Sequence, residues 1–265
     1  MQTKENRMYY PLQIPYVLNG EFSDNVSYTE DIVLPLQDFI ICFWEMQAKN
    51  MEKRAIENII LADGCIDLVV LCDEKKIGFT GMRKTSFHFK VEVPGHSLGA
   101  RLVPGAFHQL TGLPAVAAMD TFLPLSSFDH SFDQETFFSL PPGQMKHFLI
   151  NYLSALVNGK TPDLFTSLFH RLSENIPPTA QDLYSRLHFS PRQCQRLFAT
   201  HYGIAPKLAL SILRFQHCLN ILTSPSATAA DALNDANYYD QPHFIRDFKQ
   251  YIGITPLELI QKYRD

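Results

Sequence analysis

The chain has 265 residues, 46% hydrophobic and 19% charged, with a formal net charge of −4. That length favours two domains, and that composition excludes a disordered or fibrous protein. Apolar runs such as Ile66 to Cys72 are far shorter than a bilayer span and Met1 to Tyr10 lacks a signal-peptide core, so a cytoplasmic location and no membrane partner are expected.

The stretch from about Pro11 to Pro104 reads as strands. Asp38 to Met46, Ile66 to Cys72, Lys76 to Thr80 and Phe87 to Val93 are short, rich in β-branched and aromatic residues, and separated by turn formers such as Asp63-Gly64 and Gly81. Phe87, Phe89, Val91 and Val93 alternate with His88, Lys90 and Glu92, the period of a sheet with one wet face. An antiparallel sandwich or barrel-like domain is expected. After Gly105 the pattern changes. From Gln134 onward apolar residues recur at threes and fours, as Phe148, Tyr152, Leu153 and Leu156, then Leu164, Leu168, Phe169 and Leu172, which predicts helices. Pro141-Pro142-Gly143 and Asn158-Gly159-Lys160-Thr161-Pro162 read as breakers, and the domain boundary is placed at the second. The expected fold is α+β in two domains: residues 1–158, β-rich with added helices, and residues 159–265, all helical.

The helical part repeats itself. A shift of 50 residues, with no gap, aligns Leu183 with Leu233, Arg196 with Arg246, Phe198 with Phe248, Gly203 with Gly253, Ile204 with Ile254 and Pro206 with Pro256. Thr179-x-x-Asp182 and Thr228-x-x-Asp231 are capping-box patterns that open a short helix in each copy. A turn is expected at His188-Phe189 and at Asn237-Tyr238-Tyr239. Neither holds the glycine common in tight helix-turn-helix joints, but Asn and His tolerate a left-handed backbone better than most residues. Ser190-Pro191-Arg192-Gln193 then opens the next helix of the first copy, with Ser as cap and Pro at the first position, and Asp240 takes the cap position in the second. Thr255-Pro256-Leu257-Glu258 starts a last helix, and Pro206 to Leu222 forms a linker helix between the copies.

On the first of these opened helices Cys194, Leu197 and Phe198 make an inward stripe and leave Arg192, Gln195 and Arg196 outward. On the second, Phe244 and Phe248 point inward, leaving His243, Arg246 and Lys249. Arg and Gln are suited to the edges of guanine and adenine in a major groove. The charge pattern agrees: Leu183 to Ala230 holds no Asp or Glu but carries Arg186, Arg192, Arg196, Lys207 and Arg214, and the acidic excess lies before residue 172.

SPRQCQRLFATHYGIAP and YYDQPHFIRDFKQYIGITP resemble the two halves of the DNA-binding domain of AraC/XylS-type transcription regulators, over roughly Leu164 to Tyr263. The resemblance implies two helix-turn-helix units joined by a long helix and reading successive major grooves of promoter DNA about 34 Å apart. By it, Arg192, Gln195 and Arg196 read one groove, His243 and Arg246 read the next, and Gln241 and Lys249 lie near the backbone. The N-terminal part more loosely resembles a β-rich domain found before such regulators, on Pro35 to Trp44, Leu61 to Gly64 with Ile66 to Leu71, and Gly99 to Ala106. A small-molecule effector is expected there, with its binding residues unassigned. RNA polymerase is a compatible partner, and a homodimer is compatible but not required, since one chain already supplies two reading heads.

The remaining chemistry-bearing residues give weaker signals. Cys42, Cys65, Cys72, Cys194 and Cys218 form no CxxC pair and are expected reduced, with Cys194 a buried apolar thiol. His88, His96, His108 and Glu92 would need the fold to gather them before they could hold a metal, and none is expected. Trp44, Phe43 and Phe39 suit a core better than a ligand pocket. No nucleophile elbow, phosphate loop or dinucleotide fingerprint appears, so no catalytic residue and no cofactor are assigned. A protein-interaction module with degenerate DNA binding, and an enzyme delivered to DNA by its helical domain, stand as alternatives.

Overall fold

The computed structural model describes residues 9–14, 18–50, 52, 54–81, 87–93, 95–235, 238 and 240–264. Among the described residues there are eight strands: β1 (Val26–Asp31), β2 (Ile40–Ala48), β3 (Arg54–Ile60), β4 (Ile66–Leu71), β5 (Lys76–Gly81), β6 (Phe87–Val93), β7 (His96–Leu102) and β8 (Phe122–Pro124). Six of them form an antiparallel sheet in the order β1-β2-β7-β4-β5-β8, and β3 pairs with β6 as a separate ribbon. The side chains behind the expected alternation in β6 at Phe87, Phe89, Val91 and Val93 lie outside the described residues.

Register sorts the main sheet into two faces. Phe43, Ala100 and Leu68 pair across β2, β7 and β4 and are fully buried on one side. There α4 (Pro142–Val157) packs onto β7. The rows Cys42–Arg101–Asp67 and Trp44–Gly99–Val69 fall on the opposite side, facing the ribbon. Gly99 is required by its neighbour: a Cβ there would lie 2.5 Å from the Trp44 ring. The short helix α1 (Gly20–Asn25) closes one end, Phe22 packing with Val26 and Ile56 to tie ribbon to sheet.

Helices then follow in order: α2 (Ala106–Thr111), α3 (Gln134–Ser139), α4, α5 (Leu164–Glu174), α6 (Ala180–Leu187), α7 (Pro191–Tyr202), α8 (Pro206–Leu222), α9 (Ala229–Asp235), α10 (Gln241–Ile252) and α11 (Pro256–Arg264). Pro141-Pro142-Gly143 is not a break between elements. Pro141 caps α4 and Pro142 is its first residue, where a missing N–H costs nothing because no intrahelical partner exists. The buried stripe of α4 is Met145, Leu149, Leu153 and Val157, one position off the expected Phe148 and Tyr152, which are half-buried. In α5 the inward residues include Phe165, Leu168, Phe169 and Leu172, while Leu164 is exposed. Among the described residues no helix is long and apolar enough to cross a membrane.

Candidate functional site

The helical part contains two helix pairs, α6 with α7 and α9 with α10. Thr179 and Asp182 form a reciprocal capping box at the start of α6, and Ser190 and Gln193 form another at the start of α7 with Pro191 in the first position. The turn between them is made left-handed by His188, with φ 55° and ψ 33°, the role a glycine would otherwise fill. Thr228 and Asp231 cap α9 in the same way, Asp240 accepts from the His243 N–H at 2.8 Å to cap α10, and Thr255 with Glu258 caps α11. Asn237 and Tyr239 of the second turn lie outside the described residues.

The gapless repeat needs one correction. Leu183 sits four residues after its cap Thr179 and is fully buried; four residues after Thr228 comes Ala232, also fully buried, whereas Leu233 is only half-buried. The supporting helices are therefore offset by 49 residues and the second helices by 50. One extra residue between the caps Thr228 and Asp240 absorbs the difference.

Helical spacing places the proposed readers on one side of each second helix. Cys194, Phe198 and Tyr202 are buried in α7, and Arg192, Gln195 and Arg196 are exposed. In α10, Phe244, Phe248, Tyr251 and Ile252 are buried, and Gln241, Arg246 and Lys249 are exposed. His243 differs. It is half-buried, its Nε2 lies 3.4 Å from Asp247, and its ring meets Tyr238 edge-on. Two cations of the basic segment are occupied within the fold: Arg186 donates to Asn175 and Arg214 to the carbonyls of Pro177 and Pro178. The linker α8 has 17 residues, about 25 Å of rigid helix.

The first reading helix also touches the β-rich part. The C-terminal end of α7 packs on α2 and on the turn at Ala115–Ala118, and a Cβ on Gly203 would meet Met119 at 2.6 Å. His201 stacks on Phe165 at 3.8 Å and meets His108 edge-on at 4.5 Å. Burial, with His108 nearby, pulls His201 down to about 4. A second link runs through α8. Gln216, 1% exposed, accepts from the Leu12 N–H and donates to the carbonyl of Ala62, the neighbour of Asp63.

Between the main sheet and the ribbon lies a cavity of about 780 Å³, a size typical of small-molecule sites. Much of its wall is apolar, including Phe22, Val26, Met46 and Val69. Trp44 is 6% exposed and lines it, donating its indole N–H to Asp67 at 2.9 Å, while Phe43 and Phe39 belong to the core. Arg101, 5% exposed, donates to Glu30 at 3.1 Å and lies 3.6 Å from Asp63 and 3.7 Å from Asp67. Burial pushes Asp67 up to about 7 against the pull of Arg101. Burial likewise raises the Cys42 thiol to about 12 and raises Cys65 and Cys194, which describes inert packed thiols. Sequence reasoning missed Glu30, Asn58, Asp67 and Arg101. The legible signal was a charge inside an apolar strand, Asp67 in IDLVVL and Arg101 in GARLV.

Among the described residues, His96 and His108 have separate partners. His96 bonds Glu45 at 2.7 Å, His108 bonds the Leu113 carbonyl and packs on His201, and the His88 side chain lies outside the described residues. Among the described residues no group of three or more His, Cys, Asp or Glu side chains is placed to hold a metal.

Paired helix-turn-helix units with exposed basic and amide rows define a protein of the DNA-reading class. Residues 183–262 match the family described as "Helix-turn-helix domain", and residues 34–124 match the "Domain of unknown function (DUF6597)". The chain thus joins a C-terminal helix-turn-helix domain of the AraC type to an N-terminal DUF6597 domain. No curated protein matches it. Among solved structures it is similar to ToxT from Vibrio cholerae: an apo variant of strain SCE256 at 11% identity and TM-score 0.40, covering 90% of this chain and 97% of that one. The wild-type ToxT of that strain bound to an unsaturated fatty acid gives 10% and 0.39, covering 89% and 93%, and ToxT of strain O395 gives 9% and 0.38, covering 90% and 96%. Likeness of that grade carries no functional argument. The AraC-type domain supports a DNA-binding transcription regulator and points away from an enzyme.

Proposed function

We propose that this chain is a sequence-specific regulator of transcription that reads promoter DNA with both helix pairs and answers to a small molecule held by its N-terminal domain. The tandem arrangement carries the reading. Two capped units, each with an exposed row on its second helix, stand at the ends of one rigid linker. In this proposal Arg192, Gln195 and Arg196 meet base edges in one major groove, Arg246 meets them in the next, and Gln241 and Lys249 hold the backbone. His243 joins them after releasing Asp247. The division between sensor and reader is put at residues 158/159, where Asn158 ends α4 and Gly159 turns with φ 74°. The small-molecule part of the proposal rests on the cavity. Regulation requires the ligand to favour one arrangement of the two parts, and Gln216 and the α7–α2 contact are the elements it would act through.

The test is to titrate the full chain against a pool of genomic fragments at low and physiological salt and sequence what is retained. Two short motifs about 34 Å apart, centre to centre, with affinity falling steeply as salt rises, are expected. Retention without sequence preference would reduce the helices to backbone binders. No retention would put a protein-interaction module in first place.

A further inference from the structure

The charges in the cavity do not balance. Glu30, Asp63 and Asp67 all lie within ion-pairing range of the single guanidinium of Arg101. Three largely buried carboxylates against one cation leave an excess of negative charge, which the protein meets with neutral donors: Tyr10 and Tyr28 on Glu30, Gln13 on Asp63 and Trp44 on Asp67. Asp67 answers in part by holding on to its proton. Asp73, Glu74, Glu92 and Asp120 also line the cavity, against Lys90 and His96, and Glu74 is paired to Lys76, so the remaining lining charges are in acidic excess as well.

A second observation is independent of the charges. Asn58, on the ribbon wall, is 9% exposed and lines the cavity, and its side-chain oxygen has no hydrogen-bond partner. A buried acceptor without a donor costs stability, and a ligand N–H would satisfy it. The Arg101 Nε also lacks a hydrogen bond, but it stands 3.6 Å from Asp63 and 3.7 Å from Asp67, so its charge is already matched more than once. The cavity therefore asks for a donor and a positive charge, and offers little to an anion.

We infer that the cavity takes an organic cation with an apolar body, an alkyl- or arylalkyl-ammonium, whose N–H groups donate to Asp67 and Asn58 while its body lies along Trp44, Met46 and Val69. The inference rests on the small-molecule reading of the N-terminal domain and gives it a ligand class. Trp44 is the sole tryptophan of the chain and is hydrogen-bonded to Asp67, so its emission reports on the site directly.

The experiment compares 4-phenylbutylamine, 4-phenylbutanol and 5-phenylpentanoate, which share one apolar body and differ in the charge of the head, by calorimetry and Trp44 fluorescence on the full chain. The amine is expected to bind at least about tenfold tighter than the alcohol, with the carboxylate weakest, because charge-assisted hydrogen bonds exceed neutral ones. Asp67→Asn keeps an acceptor for Trp44 and should cut the amine's advantage over the alcohol to about twofold or less. Asn58→Leu, on the other wall, should weaken the amine without touching the acid group. Equal binding of amine and alcohol, or tightest binding of the carboxylate, overturns the cation class while leaving a small-molecule cavity standing. No binding by any of the three, with Trp44 emission unchanged, overturns both.

Discussion

The two helix pairs share a plan and differ in their attachment. In the first, α7 is held at its C-terminal end by α2, the turn at Ala115–Ala118 and Phe165, so the helix that carries Arg192, Gln195 and Arg196 is also part of the contact with the β-rich region. In the second, α10 packs chiefly on α8 and α11. Position for position, His201 and Gly203 of the first pair face that contact, while Tyr251 is buried under α8 against Phe215 and Gly253 meets nothing within 4 Å of where a Cβ would be. Leu197 helps pack the first pair, whereas Asp247 at the same place in the second engages His243 and Ser211. The difference teaches that an internal repeat can tie one unit to the β-rich part and hold the other chiefly against its own neighbouring helices.

Several substitutions can break that comparison or sharpen it. The largest contrast is expected at the paired glycines, both left-handed at φ 72° and 82°. Gly253→Ala should cost about 1–2 kcal/mol from backbone strain alone, and Gly203→Ala about 2–4 kcal/mol because Met119 must also move. Urea unfolding of both variants measures it, and equal losses would show that the contact at Gly203 adds nothing. Next come Arg196→Ala and Arg246→Ala, each expected to weaken promoter binding by about 1–3 kcal/mol, with relaxed preference at different halves of the site. Loss of preference at the same half in both variants would contradict a two-headed reader.

A pH effect of smaller size should belong to the first pair alone. The folded protein holds His201 down at about 4, below its ordinary 6.5, so the unfolded chain takes up the proton first. Stability from this group is complete above about pH 6.5 and is lost as pH falls toward 4, on the order of 1–2 kcal/mol after allowance for partial exposure. His108, Phe165 and Asp163 surround the ring. His201→Phe should flatten thermal stability against pH over that window, and an unchanged slope would assign it elsewhere. The smallest effects are at the caps: Ser190→Ala and Asp240→Ala should each cost about 1 kcal/mol in thermal unfolding.

The helical part was largely legible because its signals are local. Caps, Pro191, Gly203 and the buried Phe198 and Phe248 all act within a few residues of themselves, and only the extra residue, which displaces Leu233 in favour of Ala232, escaped the repeat. In the N-terminal part β2, β4, β5 and β6 showed as apolar or alternating runs. β1 and β7 did not, because VSYTED has an exposed face and HSLGARL uses Gly99 to clear Trp44 and Arg101 to meet acids. The cavity itself was invisible in sequence. Glu30, Asp67 and Arg101 come together only through register, Asp67 opposite Arg101 on β4 and β7 and Cys42 opposite Arg101 on β2, at separations no linear pattern records.

The single amide of Gln216 limits how this protein can be recombined. Because its hydrogen bonds end on Leu12 and Ala62, this helical part grafted behind a foreign β-rich part would bring into the new junction a polar side chain fitted to carbonyl and N–H groups that are no longer there. Gln216 is one of several such junction points, beside the Gln109–Thr166 and Tyr9–Phe169 contacts: chimaeras that keep the 9–14 segment and the 61–63 loop, or that replace Gln216 together with them, keep this part of the junction matched.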